Sequence, residues 1–297
     1  MRILFISSTR IGDAVFTTGV LNHLLRTHPH AQFTIACGSV AEGVFARMPR
    51  LERTLLIEKQ PYDRHWLKLW RQTVGTAWDL IVDLRGSALS FLLYARRRVV
   101  YRGGALSGHK IEQLAGLLGI APAPLPTCWV GPDDCARAQT LLPVGPLIGL
   151  APTANSSFKT WAPERFADLF NALREQLPGA RPVVFAGPGT AERAMAAPLL
   201  AVLPDAVDLC GRLTLPEASA CIMRCALFIG HDSGLTHLAA ATSTPTLGLY
   251  GPTSARGFSP AGRRTAVALA EGAPGVAAMA NLSVPAALQA ARGLLAA

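Results

Sequence analysis

The residues best suited to chemistry lie in one run, Phe228-Ile-Gly-His-Asp-Ser-Gly-Leu-Thr-His237, which continues through Leu-Ala-Ala-Ala-Thr-Ser-Thr-Pro-Thr-Leu-Gly-Leu-Tyr-Gly-Pro to Thr253. Its apolar positions predict a buried strand at 226–229, a turn at 230–234, a helix at 235–241 and a second strand at 246–250. Asp232, Ser233 and Gly234 then stand where a helix begins, facing its free N–H groups and the positive end of its dipole. Such a terminus holds phosphate oxygens. The same residues also suit a structural role, with Asp232 capping the helix and Gly234 relieving the turn. Spacing alone leaves both readings open.

The elements that must position this run follow an alternating βα pattern. Strands are predicted at 2–7, 33–37, 54–57, 80–83 and 99–101, with helices at 14–27, 66–76 and 110–118. A proline-rich stretch at 122–126 and the Pro-Val-Gly-Pro turn at 143–146 punctuate the middle. The pattern restarts with a strand at 147–151, a helix at 163–176, a strand at 182–186 and helices at 191–200, 216–225 and 284–295. Val/Ile/Leu-rich strands separated by helices imply parallel sheets covered on both faces. Two domains are expected, residues 1–145 and 146–297, each with ligand-binding loops beyond the carboxyl ends of its strands. Gly187-Pro-Gly189 between a strand and a helix raises a dinucleotide reading, but Glu192 replaces the third glycine of that fingerprint.

Composition bounds the function. The 297 residues can form a large core, and with half of them hydrophobic and 16% charged the chain is not disordered. No apolar run reaches the length of a membrane span, and residues 3–6 are too short for a signal-peptide core, so a cytoplasmic location is expected. Six cysteines without a Cys-x-x-Cys pair, and no Asp-x-Asp, leave no metal set. The net charge of +9, densest at Arg96, Arg97, Arg98 and Arg102, draws anionic partners. No nucleic-acid-binding module accompanies it and no nucleic-acid partner is expected; an anionic membrane face or a phosphorylated glycolipid suits the charge equally well, and an ordinary solvated basic surface is the alternative.

The run from Asp232 to His237, the short helix after it, Thr244-Pro-Thr246 and Gly248-Leu-Tyr-Gly-Pro-Thr253 resemble the donor-binding signature of the heptosyltransferases of lipopolysaccharide core assembly, glycosyltransferase family 9. A second landmark, Met1-Arg-Ile-Leu-Phe-Ile-Ser-Ser-Thr-Arg-Ile-Gly-Asp-Ala-Val-Phe16, resembles that family's N-terminal strand and Gly-Asp loop. The resemblance implies a GT-B fold, two Rossmann-like doubly wound α/β domains with the active site in the cleft between them. It implies an inverting transferase that moves heptose from ADP-heptose to an inner-core acceptor and needs no metal or other cofactor.

Roles follow residue by residue from that resemblance. Asp13 would be the general base, although it also suits a helix N-cap. Arg10, Gly12 and Arg85, the last in Asp83-Leu-Arg-Gly86, would face the acceptor. Thr153 and Lys159 belong to a loop similar to the family's Lys-x-Trp-Pro loop, here with Ala162 between Trp161 and Pro163. Lys159 would meet the donor diphosphate together with Asp232, Ser233, Gly234, Leu235 and His237, and Glu192 would hold the ribose. Another nucleotide sugar, an epimerase, or a binding module that has lost catalysis are the alternatives.

Overall fold

A computed structural model describes residues 1–103 and 108–296. They form two compact units, Met1–Trp129 and Val130–Ala297.

The first unit runs β1 (Arg2–Ile6), α1 (Ile11–Thr27), β2 (Gln32–Cys37), α2 (Glu42–Phe45), β3 (Leu51–Leu56), α3 (Arg64–Thr73), β4 (Trp78–Asp83), β5 (Ala95–Val100) and α4 (Lys110–Leu117). The five strands are parallel, in the order β3-β2-β1-β4-β5. β1 is wholly apolar after Arg2 because both faces of the central strand are covered. Residues 14 to 21 of α1 are all buried, so the first half of that helix is covered on every face, and its polar members Thr17 and Thr18 turn their hydroxyls back onto the helix carbonyls of Ala14 and Val15. Gly19 makes this burial possible: a Cβ there would sit 2.3 Å from the carbonyl oxygen of Pro124, where the proline-rich stretch crosses the helix.

Two boundaries differ from the pattern in ways that matter. α1 starts at Ile11, not 14, so Asp13 is the third residue of the helix and Arg10 is its N-cap. The capping role open to Asp13 is thereby excluded. β5 starts at Ala95 and takes in Arg96, Arg97 and Arg98; long charged side chains are tolerated there because β5 is an edge strand.

The second unit runs α5 (Pro132–Leu141), β6 (Leu147–Ala151), α6 (Pro163–Arg174), β7 (Arg181–Val184), α7 (Thr190–Val202), β8 (Val207–Asp208), α8 (Leu215–Ile222), β9 (Leu227–His231), α9 (Gly234–Ala241), β10 (Thr246–Tyr250), α10 (Ala255–Phe258), β11 (Thr265–Leu269) and α11 (Val284–Ala296). Its sheet is parallel, ordered β11-β10-β9-β6-β7-β8. Ile148, Leu150, Ile229 and Leu249 share one core with Phe166, Leu199 and Leu294 from α6, α7 and α11. The helix α5, which the periodicity does not announce because it buries little more than Asp134 and Ala138, packs on α8. It therefore belongs with this unit, ahead of the 143–146 turn where the sequence suggested the junction.

Candidate functional site

Each sheet reverses its strand order once, between β1 and β4 in the first unit and between β6 and β9 in the second. At such a point the loops leaving the two central strands part in opposite directions, opening a crevice at their carboxyl ends. The polar residues singled out in the sequence, Glu192 after β7 excepted, leave the strands at these two places.

In the first unit, the loop after β1 and the turn after β4 border a cavity of about 270 Å³ lined by Ser8, Thr9, Arg10, Asp13, Thr17, Leu84, Arg85, Lys110 and Leu114. Among the described residues lining it, Asp13 is the one carboxylate, facing the cations Arg10, Arg85 and Lys110. Gly12, second in α1, does not itself line the cavity.

The position of Arg85 is built by Asp83, which is fully buried at the end of β4. One Asp83 carboxylate oxygen accepts the Arg85 N–H at 2.9 Å, and the other accepts the Ser87 N–H at 3.0 Å and the Ser87 hydroxyl at 2.6 Å. The turn so fixed lays the Arg85 guanidinium over the Trp66 ring, 5.5 Å from its centre. Lys110, the first residue of α4, was missed by sequence reasoning; no motif marks it, and it enters the site only through the tertiary fold.

The second unit gathers its predicted residues more tightly. Asp232 accepts a hydrogen bond from the Lys159 ammonium at 3.0 Å, and its other oxygen lies 3.5 Å from His237 Nε2. Burial alone would raise the Asp232 carboxyl, but hydrogen bonds and charge from His237 and Lys159 outweigh it and hold it near 2. Asp232 therefore does not cap α9. Ser233 is the N-cap, and its side chain caps nothing either: Oγ is buried and makes no hydrogen bond. The first-turn N–H groups of Gly234, Leu235 and Thr236 are consequently left without an intrahelical acceptor.

Gly230 permits this packing. A Cβ there would meet Thr236 Oγ1 at 2.5 Å and Ala151 Cβ at 3.1 Å, so the strand needs glycine where α9 crosses it. Tyr250, at the end of β10, donates its hydroxyl to the Phe258 carbonyl at 2.7 Å. Burial, and then the nearby Asp232 charge, raise its phenol well above the ordinary value and keep it protonated.

Thr153 follows β6 and is buried. Glu192 stands apart from the Lys159–Asp232 group: its carboxylate accepts the Gly187 N–H at 3.1 Å, from the third position of α7. That bond shapes the Gly187-Pro-Gly189 turn, which the dinucleotide reading assigned to phosphate.

His231 was not singled out from sequence, although it lies inside the motif. It is fully buried, accepts the Trp161 N–H at Nε2 (2.8 Å) and meets Phe166 edge to face. Trp161 is also buried and donates Nε1–H to the Leu282 carbonyl at 2.9 Å, a packing role. Together they tie the Lys159 loop to β9.

Burial lowers the His231 imidazole from 6.5 to about 4, the Thr153 carbonyl and Asp232 opposing. Between those values the unfolded chain binds a proton that the folded chain refuses. Stability is therefore full above about pH 6.5 and declines as pH falls toward 4, by about 3 kcal/mol. His231→Gln, which keeps an acceptor but does not titrate, is expected to flatten urea-unfolding stability across that window relative to the parent. An equal slope in both proteins would show that His231 stays out of the acid response.

Two parallel α/β sheets, each with polar loops at its switch point, are the architecture of a GT-B glycosyltransferase. Residues 122–277 match glycosyltransferase family 9 (heptosyltransferase), and the chain belongs to that family. It is 33% identical to lipopolysaccharide heptosyltransferase 3 of Escherichia coli over 277 residues, covering 82% of this chain and 80% of the relative. It is 24% identical to lipooligosaccharide heptosyltransferase 2 of Haemophilus influenzae, over 92% and 90% of the two chains. Its fold is that of a family 9 glycosyltransferase from Veillonella parvula (TM-score 0.83, 19% identity, 99% and 97% covered). The Escherichia coli ADP-heptose lipopolysaccharide heptosyltransferase II shares it too (TM-score 0.80, 20% identity, 100% and 99% covered).

Among the described residues, no helix is long and apolar enough to cross a membrane. All six cysteines are free, and burial pushes the thiols of Cys37, Cys210 and Cys225 up to about 12.

Proposed function

We propose that this chain transfers heptose from ADP-heptose to the inner core of a lipopolysaccharide precursor at the cytoplasmic face of the membrane, with inversion at the anomeric carbon. The observation that carries this reading is the pairing of chemistries at the two switch points. One has a cavity whose described lining holds one carboxylate, Asp13, together with three cations; the other holds an ammonium ion beside an uncapped helix N-terminus.

In the proposed reaction Asp13 takes the proton of the acceptor hydroxyl as that oxygen bonds to the heptose anomeric carbon. The bond from that carbon to the diphosphate breaks, and ADP leaves with the electron pair. The Lys159 ammonium and the N–H groups of Gly234 and Leu235 meet the growing charge, and Ser233 Oγ gains a phosphate oxygen as its partner. Asp232 acts through Lys159 and His237, which it orients. A bare carboxylate so near a diphosphate would repel it, and its two partners offset that charge. Arg10, Arg85 and Lys110 suit the acidic sugars or phosphates of a core acceptor. Glu192 keeps one carboxylate oxygen for the ribose hydroxyls while the other holds Gly187.

These fixed charges take the part a divalent ion would play. ADP-heptose is expected to raise the melting temperature in the presence of a metal chelator, by mass action on the folded state. Stabilisation that appears only with magnesium or manganese would contradict the metal-free site. A larger shift with a uridine or guanosine diphosphate sugar would replace the donor but keep the mechanism.

A further inference from the structure

Between β4 and β5 the chain passes through a short 3-10 turn, Ala88–Leu92. Leu89 and Leu93 anchor it in the first unit's core beside Trp78 and Ile81. Yet Phe91, Leu92 and Tyr94 are 59%, 66% and 69% exposed. The segment is built, not frayed. The Arg98 guanidinium donates to the carbonyl of Ser90 at 2.8 Å and to those of Ala95 and Leu93, and the Ser90 hydroxyl donates to the Ser87 carbonyl at 3.0 Å. Directly beyond, Arg96 and Arg97 are exposed on β5, the edge strand. Arg96 leans on Asp79 at 3.4 Å, whereas Arg97 has no ion pair or hydrogen bond among the described residues.

We propose that this ledge docks on an anionic lipid bilayer, Phe91, Leu92 and Tyr94 entering the boundary between headgroups and acyl chains while Arg96 and Arg97 meet lipid phosphates. Aromatic and aliphatic tips flanked by guanidinium groups are the chemistry of an interfacial anchor. Apolar exposure at a sheet edge also suits pairing with a second copy. Two β5 edges brought together, however, would oppose the arginine runs of both copies, and like charges there are a device against such pairing. The net charge of +9 favours the same anionic partner. Location agrees as well: Arg85, which lines the cavity with Asp13, shares the β4–β5 connection with the ledge. The inference rests on the reading of a membrane-held acceptor and deepens it by naming the docking surface.

Co-sedimentation with vesicles, free of donor and acceptor, tests the docking alone. The full chain is expected to sediment with vesicles of phosphatidylcholine and phosphatidylglycerol, less so as salt is raised, and weakly with phosphatidylcholine alone. The triple variant F91S/L92S/Y94S should bind the anionic vesicles at least about tenfold more weakly. R97Q should lose about fivefold on anionic vesicles and nothing on neutral ones. An unchanged melting temperature shows that each variant is folded.

A parent chain that stays in the supernatant would overturn the proposal, as would a triple variant that sediments normally. So would a parent dimer, seen by light scattering, that the triple variant turns into a monomer without any change in vesicle binding. Failure of heptose transfer in a separate assay would overturn the proposed function and leave the docking result standing.

Discussion

Replacing Asp13 with asparagine is expected to lower turnover by about 10²–10⁴, the usual contribution of a positioned base, with donor affinity nearly unchanged. The variant is informative because Asp13 is the third residue of α1 and not its cap. Asparagine fills the same volume, and the lost charge in the first helical turn costs at most about 1 kcal/mol of dipole stabilisation. The protein should therefore stay folded while losing the group that accepts the proton. Arg10, Arg85 and Lys110 remain in the cavity, so acceptor binding should largely persist. Single-turnover kinetics at saturating donor isolate the chemical step. Near-normal turnover in Asp13→Asn would place the base elsewhere.

Replacing Lys159 with alanine should weaken donor binding by about 1.5–3 kcal/mol, roughly 10- to 150-fold in Kd. Two losses combine. The diphosphate loses a charged donor, and Asp232 loses the 3.0 Å partner that offsets its negative charge. Both side chains are mostly shielded from water, at 16% and 17% exposure, so the pair is not a solvent-screened surface contact. If this account holds, Lys159→Ala combined with Asp232→Asn should bind the donor more tightly than Lys159→Ala alone, because the unpaired carboxylate is gone. Calorimetry with ADP measures both. Unchanged affinity in a folded Lys159→Ala protein would remove that lysine from the site.

The sequence carried the parts of this fold that depend on short-range pattern. Apolar runs such as Leu147–Ala151 and Thr246–Tyr250 match the observed strands residue for residue, because strands buried on both faces need no polar alternation. Lys159 and Asp232, which the family resemblance assigns to one loop-and-helix site, are hydrogen-bonded across 73 positions of sequence. Other features were out of reach. α5 buries too little to show a period, and its one local sign is its start, Gly131-Pro132 followed by two aspartates. Lys110 reaches the Asp13 cavity because α4 packs on α1, a tertiary fact. His231 was hidden for a different reason: beside the acidic and hydroxyl groups of its own motif, a buried histidine that only braces a loop gives no chemical signature. Ile11 and Gly12 look like loop, so the pattern starts α1 three residues late, and that shift alone opens the capping role to Asp13.

The most direct test of the central claim is the product itself. The purified chain would be incubated with ADP-heptose and a heptose-free core glycolipid in the presence of a metal chelator, and the glycolipid examined by mass spectrometry and NMR. The account predicts a gain of one heptose, release of one ADP for each, and an anomeric configuration opposite to that of the donor. Retention of configuration would contradict the single displacement assisted by Asp13. Hydrolysis or epimerisation of the donor, with no heptose on the glycolipid, would contradict the transferase reading altogether.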